Sequence, residues 1–268
     1  MSAGLKVTIL GSGSSGGVPR IGGRDGRGDW GACDPSEPKN RRRRCSILVE
    51  RGATQILVDT APDMREQLIE ARVRTLDAVL ITHDHADQSH GIDDLRVVAQ
   101  NMMRRVDVYA ATETMKALKD RFGYCFKGNE VGAYPAILNG HTIERPYREF
   151  AIQGQGGPIG VLAFDQDHGS ILSQGFRFGP IAYSSDVVDL DDAAFAALEG
   201  VECWIVDALR YRPHPTHAHV EKTLGWIERV RPKRAVLTNL HIDLDYKTLS
   251  ESLPAGVEAA FDGLVISI

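Results

Sequence analysis

Val79-Leu80-Ile81-Thr82-His83-Asp84-His85-Ala86-Asp87-Gln88-Ser89-His90 is the stretch that decides how this chain is read. Its first four residues are apolar or β-branched, the pattern of a buried strand, and the sequence then turns abruptly into imidazoles and carboxylates. In extended backbone, residues two apart point the same way, so His83 and His85 can aim their rings at one point. Asp87, two further on, can reach that point or a second ion beside it. Imidazole with carboxylate and no thiolate suits zinc, manganese or iron, and leaves a position for water. A histidine-rich polar loop is the plainer account of any single His. Three ligand-type residues at alternate positions directly behind a buried strand favour a metal.

Working outward, the 268 residues suit one α/β domain over 1–268, long enough to bury a substantial core. With 43% hydrophobic and 25% charged residues the composition is that of an ordinary soluble protein. A formal net charge of -5 argues against a protein that coats nucleic acid, which needs a basic surface. No signal peptide is visible, and no run approaches membrane-spanning length. Cys33, Cys45, Cys125 and Cys203 form no Cys-x-x-Cys pair, so neither a disulfide framework nor a zinc ribbon is expected, and the setting predicted is reducing and cytoplasmic.

Upstream of the quoted stretch, residues 6–10 (KVTIL) read as a first strand that breaks into the glycine-rich 11–19. No helical pattern follows, so this is expected to be a tight loop near a sheet edge rather than a dinucleotide fingerprint. Residues 20–44 form an irregular excursion ending in Asn40-Arg41-Arg42-Arg43-Arg44. Four adjacent arginines cannot all face one ligand, and most are expected to be solvated. Residues 45–50 and 55–59 look like paired strands. Asp59 closes the second, where it could orient a metal-bound His or cap the helix over 63–71. A helix is expected over 91–103, with Asp93 and Asp94 at its start, where negative charge is favourable. A strand follows over 106–110, then the beginning of a helix at 112. The tract 123–160 cannot be ordered from its sequence, and the isolated His141 within it reads as a surface residue.

Three later strands each end on a ligand-type residue: 161–166 leads to His168, 181–185 to Asp186, and 235–239 to His241. Functional groups in layered α/β proteins collect beyond the carboxyl ends of strands, so these three can converge on His83, His85 and Asp87. Residues 203–206 form a further strand ending in Asp207. Between it and a helix over 220–231 lies a loop with His214, His217 and His219, where Thr216 could cap the helix. The closing segments VEAAF and LVISI, joined by Asp262-Gly263, are expected to form a hairpin.

The His-x-His-x-Asp run, together with the order of the remaining motifs, resembles the metallo-β-lactamase-fold hydrolases. "HGIDDLR" (90–96), "GFRFG" (175–179) and "AYSSD" (182–186) look like their phosphodiesterase branch. That branch includes the phosphoribosyl 1,2-cyclic phosphate phosphodiesterase of phosphonate breakdown and, further off, the endonuclease that trims transfer-RNA 3' ends. The resemblance implies an αββα sandwich of two mixed sheets with helices outside. It also implies two divalent ions, zinc or manganese: His83, His85 and His168 would hold the first, Asp87 and His241 the second, and Asp186 would bridge them. Gln88 departs from the pattern, which usually has a second-site His there, so that the second ion would bind weakly, be a harder ion such as manganese, or recruit His90. Several cysteines bind a structural zinc in this branch; only Cys33 stands in that region, and that zinc is not expected. An Asp and a His near the metals act as proton donors in the branch, which points to Asp207 and His217. The resemblance also admits a homodimer.

The chemistry expected is hydrolysis of a small cyclic phosphate or nucleotide-like phosphodiester, with no membrane partner. A water shared by two ions becomes hydroxide near neutral pH, and the ions offset charge building on phosphorus. Two other classes fit the same sequence: a hydrolase of a thioester or lactone on this fold, and a nucleotide-binding protein in which Gln88 marks a degenerate second site.

Overall fold

The computed structural model describes residues 4–128 and 135–268, so residues 129–134 of the unordered tract lie outside the described residues. Strands β1 (Leu5–Gly11), β2 (Ser46–Arg51), β3 (Thr54–Val58), β4 (Ala78–Leu80), β5 (Val106–Ala111) and β6 (Leu138–Ile143) build one sheet. Strands β7 (Phe150–Ile152), β8 (Ile159–Asp167), β9 (Leu172–Phe178), β10 (Ile181–Ser184), β11 (Cys203–Asp207), β12 (Arg234–Thr238) and β13 (Val257–Ala259) build the other. The last strand, β14 (Val265–Ser267), returns to the first sheet beside β1. The pairing runs alike in both. From β14 inward, three antiparallel pairs are followed by three parallel ones, and the same holds from β7 inward.

The continuous apolar runs follow from burial on both faces. Along β3, Ile56 and Val58 enter the core between the sheets while Leu57 faces outward; along β11, Cys203 and Ile205 face inward while Trp204 and Val206 face outward. Helices α1 (Met64–Glu70), α3 (Leu95–Met102), α4 (Thr112–Arg121) and α5 (Gly123–Lys127) cover the first sheet's outer face. Helices α6 (Asp192–Leu198), α7 (Val220–Val230) and α8 (Tyr246–Ser252) cover the second's. A short helix, α2 (Ala86–Ser89), stands in the ligand loop itself. The result is the four-layer αββα sandwich expected from the sequence.

What positions the site is the set of parallel strands. Val58 pairs with Leu80, Ser184 with Val206 and Asp207 with Thr238, so the residues that follow β3, β4, β10, β11 and β12 emerge at the carboxyl ends of parallel neighbours. The Gln174 N–H on β9 donates to the Thr82 carbonyl at 2.9 Å, which joins the two sheets at that edge. Asp59, Asp186 and Asn239, each just beyond a strand, lie in the left-handed region with φ of 67°, 54° and 63°. Asp and Asn tolerate that region better than other residues with a Cβ, and it turns each chain sharply at the rim.

The glycine loop is a close crossing of backbones, consistent with the tight loop expected. A Cβ on Gly11 would stand 1.9 Å from the Arg44 carbonyl oxygen, and one on Gly13 would stand 2.8 Å from the Arg42 Cβ. The arginine run is not mainly solvated. Arg42 is 2% exposed and donates to the Leu244 carbonyl at 2.7 Å and the His241 carbonyl at 3.3 Å. Arg43 pairs with Asp262 and Glu70, and Arg44 with Asp63; only Arg41 is exposed, over the Trp30 ring. Carbonyls and carboxylates brought in from distant segments claim these cations.

Three other expectations change. The closing segments do not form a hairpin, because β13 pairs with β12 in one sheet and β14 with β1 in the other. Asp262 instead accepts from the Ser12 and Arg43 N–H groups and anchors the crossover to the glycine loop. Helix α7 is capped at His219, not Thr216, because it begins only at Val220. Helix α8, unforeseen in the sequence, is capped by Asp245, which accepts from the Thr248 N–H at 3.0 Å and the Asn40 amide at 2.6 Å, tying the 20–44 excursion to the His241 loop.

Burial opposes ionisation of Asp245, but the Thr248 N–H and the Asn40 amide outweigh it and hold the carboxyl down at about 2. A depressed carboxylate contributes its stability above its unfolded pKa of about 3.9 and loses it as pH falls towards the folded value. Asp245→Ala should therefore lower stability at pH 7 by roughly 1 kcal/mol in urea titrations. The gap from the wild type should close as pH falls from about 4 to 2; a gap constant with pH would contradict this role.

Candidate metal centre

The strand ends deliver three imidazoles to one point. The His83 Nε2 lies 3.0 Å from the His85 Nδ1, and the His168 Nε2 lies 3.3 Å from that same atom. Tetrahedral zinc, with bonds to nitrogen of about 2.0–2.1 Å, sets neighbouring donors about 3.3 Å apart, so the spacing suits a shared cation. His83 and His168 are buried while His85 is exposed, which leaves one side open to solvent.

The outer ring nitrogens decide the tautomers. Thr82 donates its hydroxyl to Asp59, both carboxylate oxygens lying at 3.0 Å, so the Thr82 Oγ1 accepts from the His83 Nδ1–H at 3.0 Å. The His168 Nδ1–H donates to the Thr216 carbonyl at 2.7 Å. With both Nδ1 atoms protonated, each Nε2 is left with its lone pair towards the centre, the form a metal needs. Burial, then the neighbouring His168 and His85, pushes the His83 pKa well below its ordinary value and keeps the ring neutral. Asp59 is fully buried, and that burial pushes its carboxyl pKa well up against the opposing Thr82 hydrogen bonds. Of the two roles open to Asp59 in the sequence, the structure supports orientation of a histidine: α1 begins at Met64 with Asp63 as its N-cap, and Asp59 reaches His83 through Thr82.

A second group shares His168. Asp186 and His217 can each present a ligand atom within 4.8 Å of it and of one another. The His217 Nδ1 donates to the Asp207 Oδ2 at 2.8 Å, leaving its Nε2 free. Burial opposes a proton on this ring, but the Asp207 charge and hydrogen bond, with Asp186 and Asp87 beyond, outweigh it and carry the pKa up to about 9. Asp207 is itself fully buried; its Oδ2 also accepts from the Val187 N–H at 3.1 Å, so it stands behind His217 rather than on an open surface.

Asp87 and His241 lie outside both groups. Asp87 faces the Gln88 amide at 3.3 Å; burial and Asp186 push its carboxyl up to about 6. His241 turns its Nδ1 to the Asp243 N–H at 3.2 Å. Burial and then the charges of Arg20 and Arg210 lower the His241 pKa, with Asp243 opposing them, so positive charge lies at this edge. His90 is exposed against Phe122, and His219 is the cap of α7. His214 accepts from the Thr216 N–H at 3.3 Å, and its ring lies 5.1 Å from that of His217. His141 is a surface residue, stacked on Tyr109 and paired with Asp107. The Cys33 thiol is buried and directed at the Ile242 carbonyl, 3.4 Å away. Sequence reasoning missed Thr82 as the link between Asp59 and His83, although it directly precedes the His. The Thr216 carbonyl carries no side-chain signal at all.

A four-layer sandwich with histidines and carboxylates gathered at the strand ends is the metallo-β-lactamase architecture with the residues for a metal centre at its rim. Residues 54–242 match the beta-lactamase superfamily domain, and the chain belongs to that superfamily, in its metallo-β-lactamase-fold form and closely related to the PhnP-family branch. A crystal structure described as a new diphosphatase from the PhnP family superposes with a TM-score of 0.87 at 32% identity, covering 98% of this chain and 97% of that one. An octanoyltransferase of Porphyromonas gingivalis is 30% identical over 97% of this chain and 51% of its own length. A ribonuclease Z of Methanopyrus kandleri is 26% identical over 49% of this chain and 43% of its own. The chain thus spans about half the length, or less, of the curated relatives it matches.

Thr82→Val keeps the shape of the residue but removes the acceptor for the His83 Nδ1–H. It should weaken zinc affinity about 10-fold or more in competition with a chelator, with secondary structure unchanged; affinity equal to the wild type would show that Thr82 does not set the ring.

Proposed function

We propose that this chain is a phosphodiesterase acting on a small phosphate-bearing substrate, a cyclic phosphate or nucleotide-like diester. The convergence of His83, His85 and His168 nitrogens at 3.0 and 3.3 Å, beside Asp186 and His217, is the observation that carries the reading. The likeness over nearly the whole chain to a diphosphatase of the PhnP family supports breakage of a phosphorus–oxygen bond. Among the described residues no helix is long and apolar enough to cross a membrane, and all four cysteines are free and buried. Both fit our placement of the reaction in a reducing, cytoplasmic setting.

His83, His85 and His168 would hold a divalent ion, zinc or manganese, with Asp186 beside them. When bound, such an ion acidifies water and draws electron density from a phosphoryl group. The remaining work falls to the chain. His85 leaves the centre open to solvent on one side, so an extended substrate can approach there. Arg20, whose buried Nε has no hydrogen-bond partner among the described residues, and Arg210 bring positive charge to the His241 edge, which favours phosphate oxygens. In-line displacement leaves an alkoxide that needs a proton, and His217, with its Nδ1 fixed on Asp207, keeps Nε2 for that transfer. Asp207 acts through His217 by holding its tautomer.

His83→Ala and Asp186→Ala should each abolish turnover of bis(p-nitrophenyl) phosphate, and undiminished rates in the metal-supplemented variants would overturn the reading. Assayed beside a thioester and a lactone, the wild type should favour the diester in kcat/KM. Arg20→Ala should raise KM for the diester several-fold while leaving kcat within about twofold, as expected for binding shared by ground and transition states; an effect on kcat alone would remove Arg20 from phosphate recognition.

A further inference from the structure

Asp87 and Asp186 come together on a neutral side chain. The Gln88 Nε2 donates to the Asp186 Oδ2 at 3.0 Å and to the Asp87 Oδ2 at 3.3 Å. Gln88 is fully buried, at 0% exposure. The direction of the amide is set by its partners, since ionised carboxylates only accept and the NH2 must face them. Its two N–H groups are thereby both used, one on each carboxylate. Among the described residues the Gln88 Oε1 has no hydrogen-bond partner, a cost the side chain bears to keep its NH2 between the two acids. The backbone holds the residue there too: its carbonyl accepts from the Thr60 N–H at 2.8 Å.

A cation bound between these two carboxylates competes with the amide for the Asp87 Oδ2 and the Asp186 Oδ2. To enter, it would have to displace the NH2, leaving that group without acceptors in a buried place, and it would have an amide where an imidazole would bind far better. His241 does not make up the deficit, because it lies outside both ligand groups with its Nδ1 turned to Asp243.

We propose that Gln88 closes the second metal position, so that the chain holds a single divalent ion at His83, His85 and His168 while the amide takes the place of a second cation between Asp87 and Asp186. This rests on the metal-hydrolase reading above and narrows it to a one-ion centre. Asp186 is then a carboxylate held in place by an amide rather than a bridge between ions.

The test is metal counting on the full chain, loaded with excess Mn2+ or Zn2+, desalted, and measured by elemental analysis. The wild type should retain one ion per chain and Gln88→His two, a twofold rise. With manganese, electron paramagnetic resonance should change from the six-line signal of an isolated ion to the spectrum of a coupled pair. Gln88→Ala, which removes the NH2 without adding a ligand, covers the case in which the histidine variant does not fold, and it should also take up more metal than the wild type. Two ions in the wild type, or a single ion in both variants, would overturn the proposal. A wild type that retains no ion would instead remove the metal-hydrolase reading on which it stands.

Discussion

Two buried imidazoles with their lone pairs turned to a common point are the constraint on which the site depends. Left to themselves, neutral rings this close would share protons and rotate apart. Here the outward nitrogen of each is already committed, His83 to Thr82 and His168 to Thr216, so neither ring can present its protonated side to the centre. The first of these bonds continues into Asp59, on the neighbouring strand of the same sheet. The second runs to the loop that carries His217 and leads into α7. Closing the two sheets over a common core brings these supports together, so ring orientation is a property of the whole sandwich.

The rim geometry is bound up with this. Asp59, Asp186 and Asn239 leave their strands in a left-handed conformation that costs of order 1 kcal/mol for residues other than glycine. Hydrogen bonds at the rim offset that cost: Asp59 accepts from the Thr82 N–H at 2.8 Å, and the Asp186 carbonyl accepts from the Ser173 hydroxyl at 2.7 Å. Without the sharp turns the strands would carry on past the edge and their side chains would alternate away from one another.

Much of this was legible before any coordinates. An apolar run that stops on a His or Asp signals a two-sided buried strand meeting solvent, and His83, His168 and Asp186 were all found that way. The parts that were not legible have physical reasons. Strands β6 and β7 lie at the sheet edges, where the apolar signature fades, and LNGHTI falls in the tract that cannot be ordered from its sequence. The last two strands looked like a hairpin because their spacing and Asp-Gly turn suit one. Sheet membership depends on distant partners, β12 for one strand and β1 for the other, which no local pattern encodes. His241 follows its strand much as Asp186 does, yet it falls in neither ligand group, and its Nδ1 accepts from the Asp243 N–H.

Charge explains why a cation belongs in this place. Asp59, Asp186 and Asp207 are each at most 2% exposed, and their partners in the structure are a threonine, an amide and a histidine rather than Lys or Arg. Carboxylates withdrawn from water need compensation of comparable strength, or they take up protons. The site answers each acid differently. Asp59 is pushed towards the neutral form, Asp207 is matched by the imidazole it holds, and Asp186 meets the Gln88 amide at 3.0 Å and, further off, the His217 Nδ1 at 3.9 Å. The negative charge left over lies beside the three nitrogen donors of His83, His85 and His168, and a divalent ion satisfies both at once. Burial makes the carboxylates costly and the His83 ring uncharged, and together those two effects turn a polar defect in the core's edge into a metal centre.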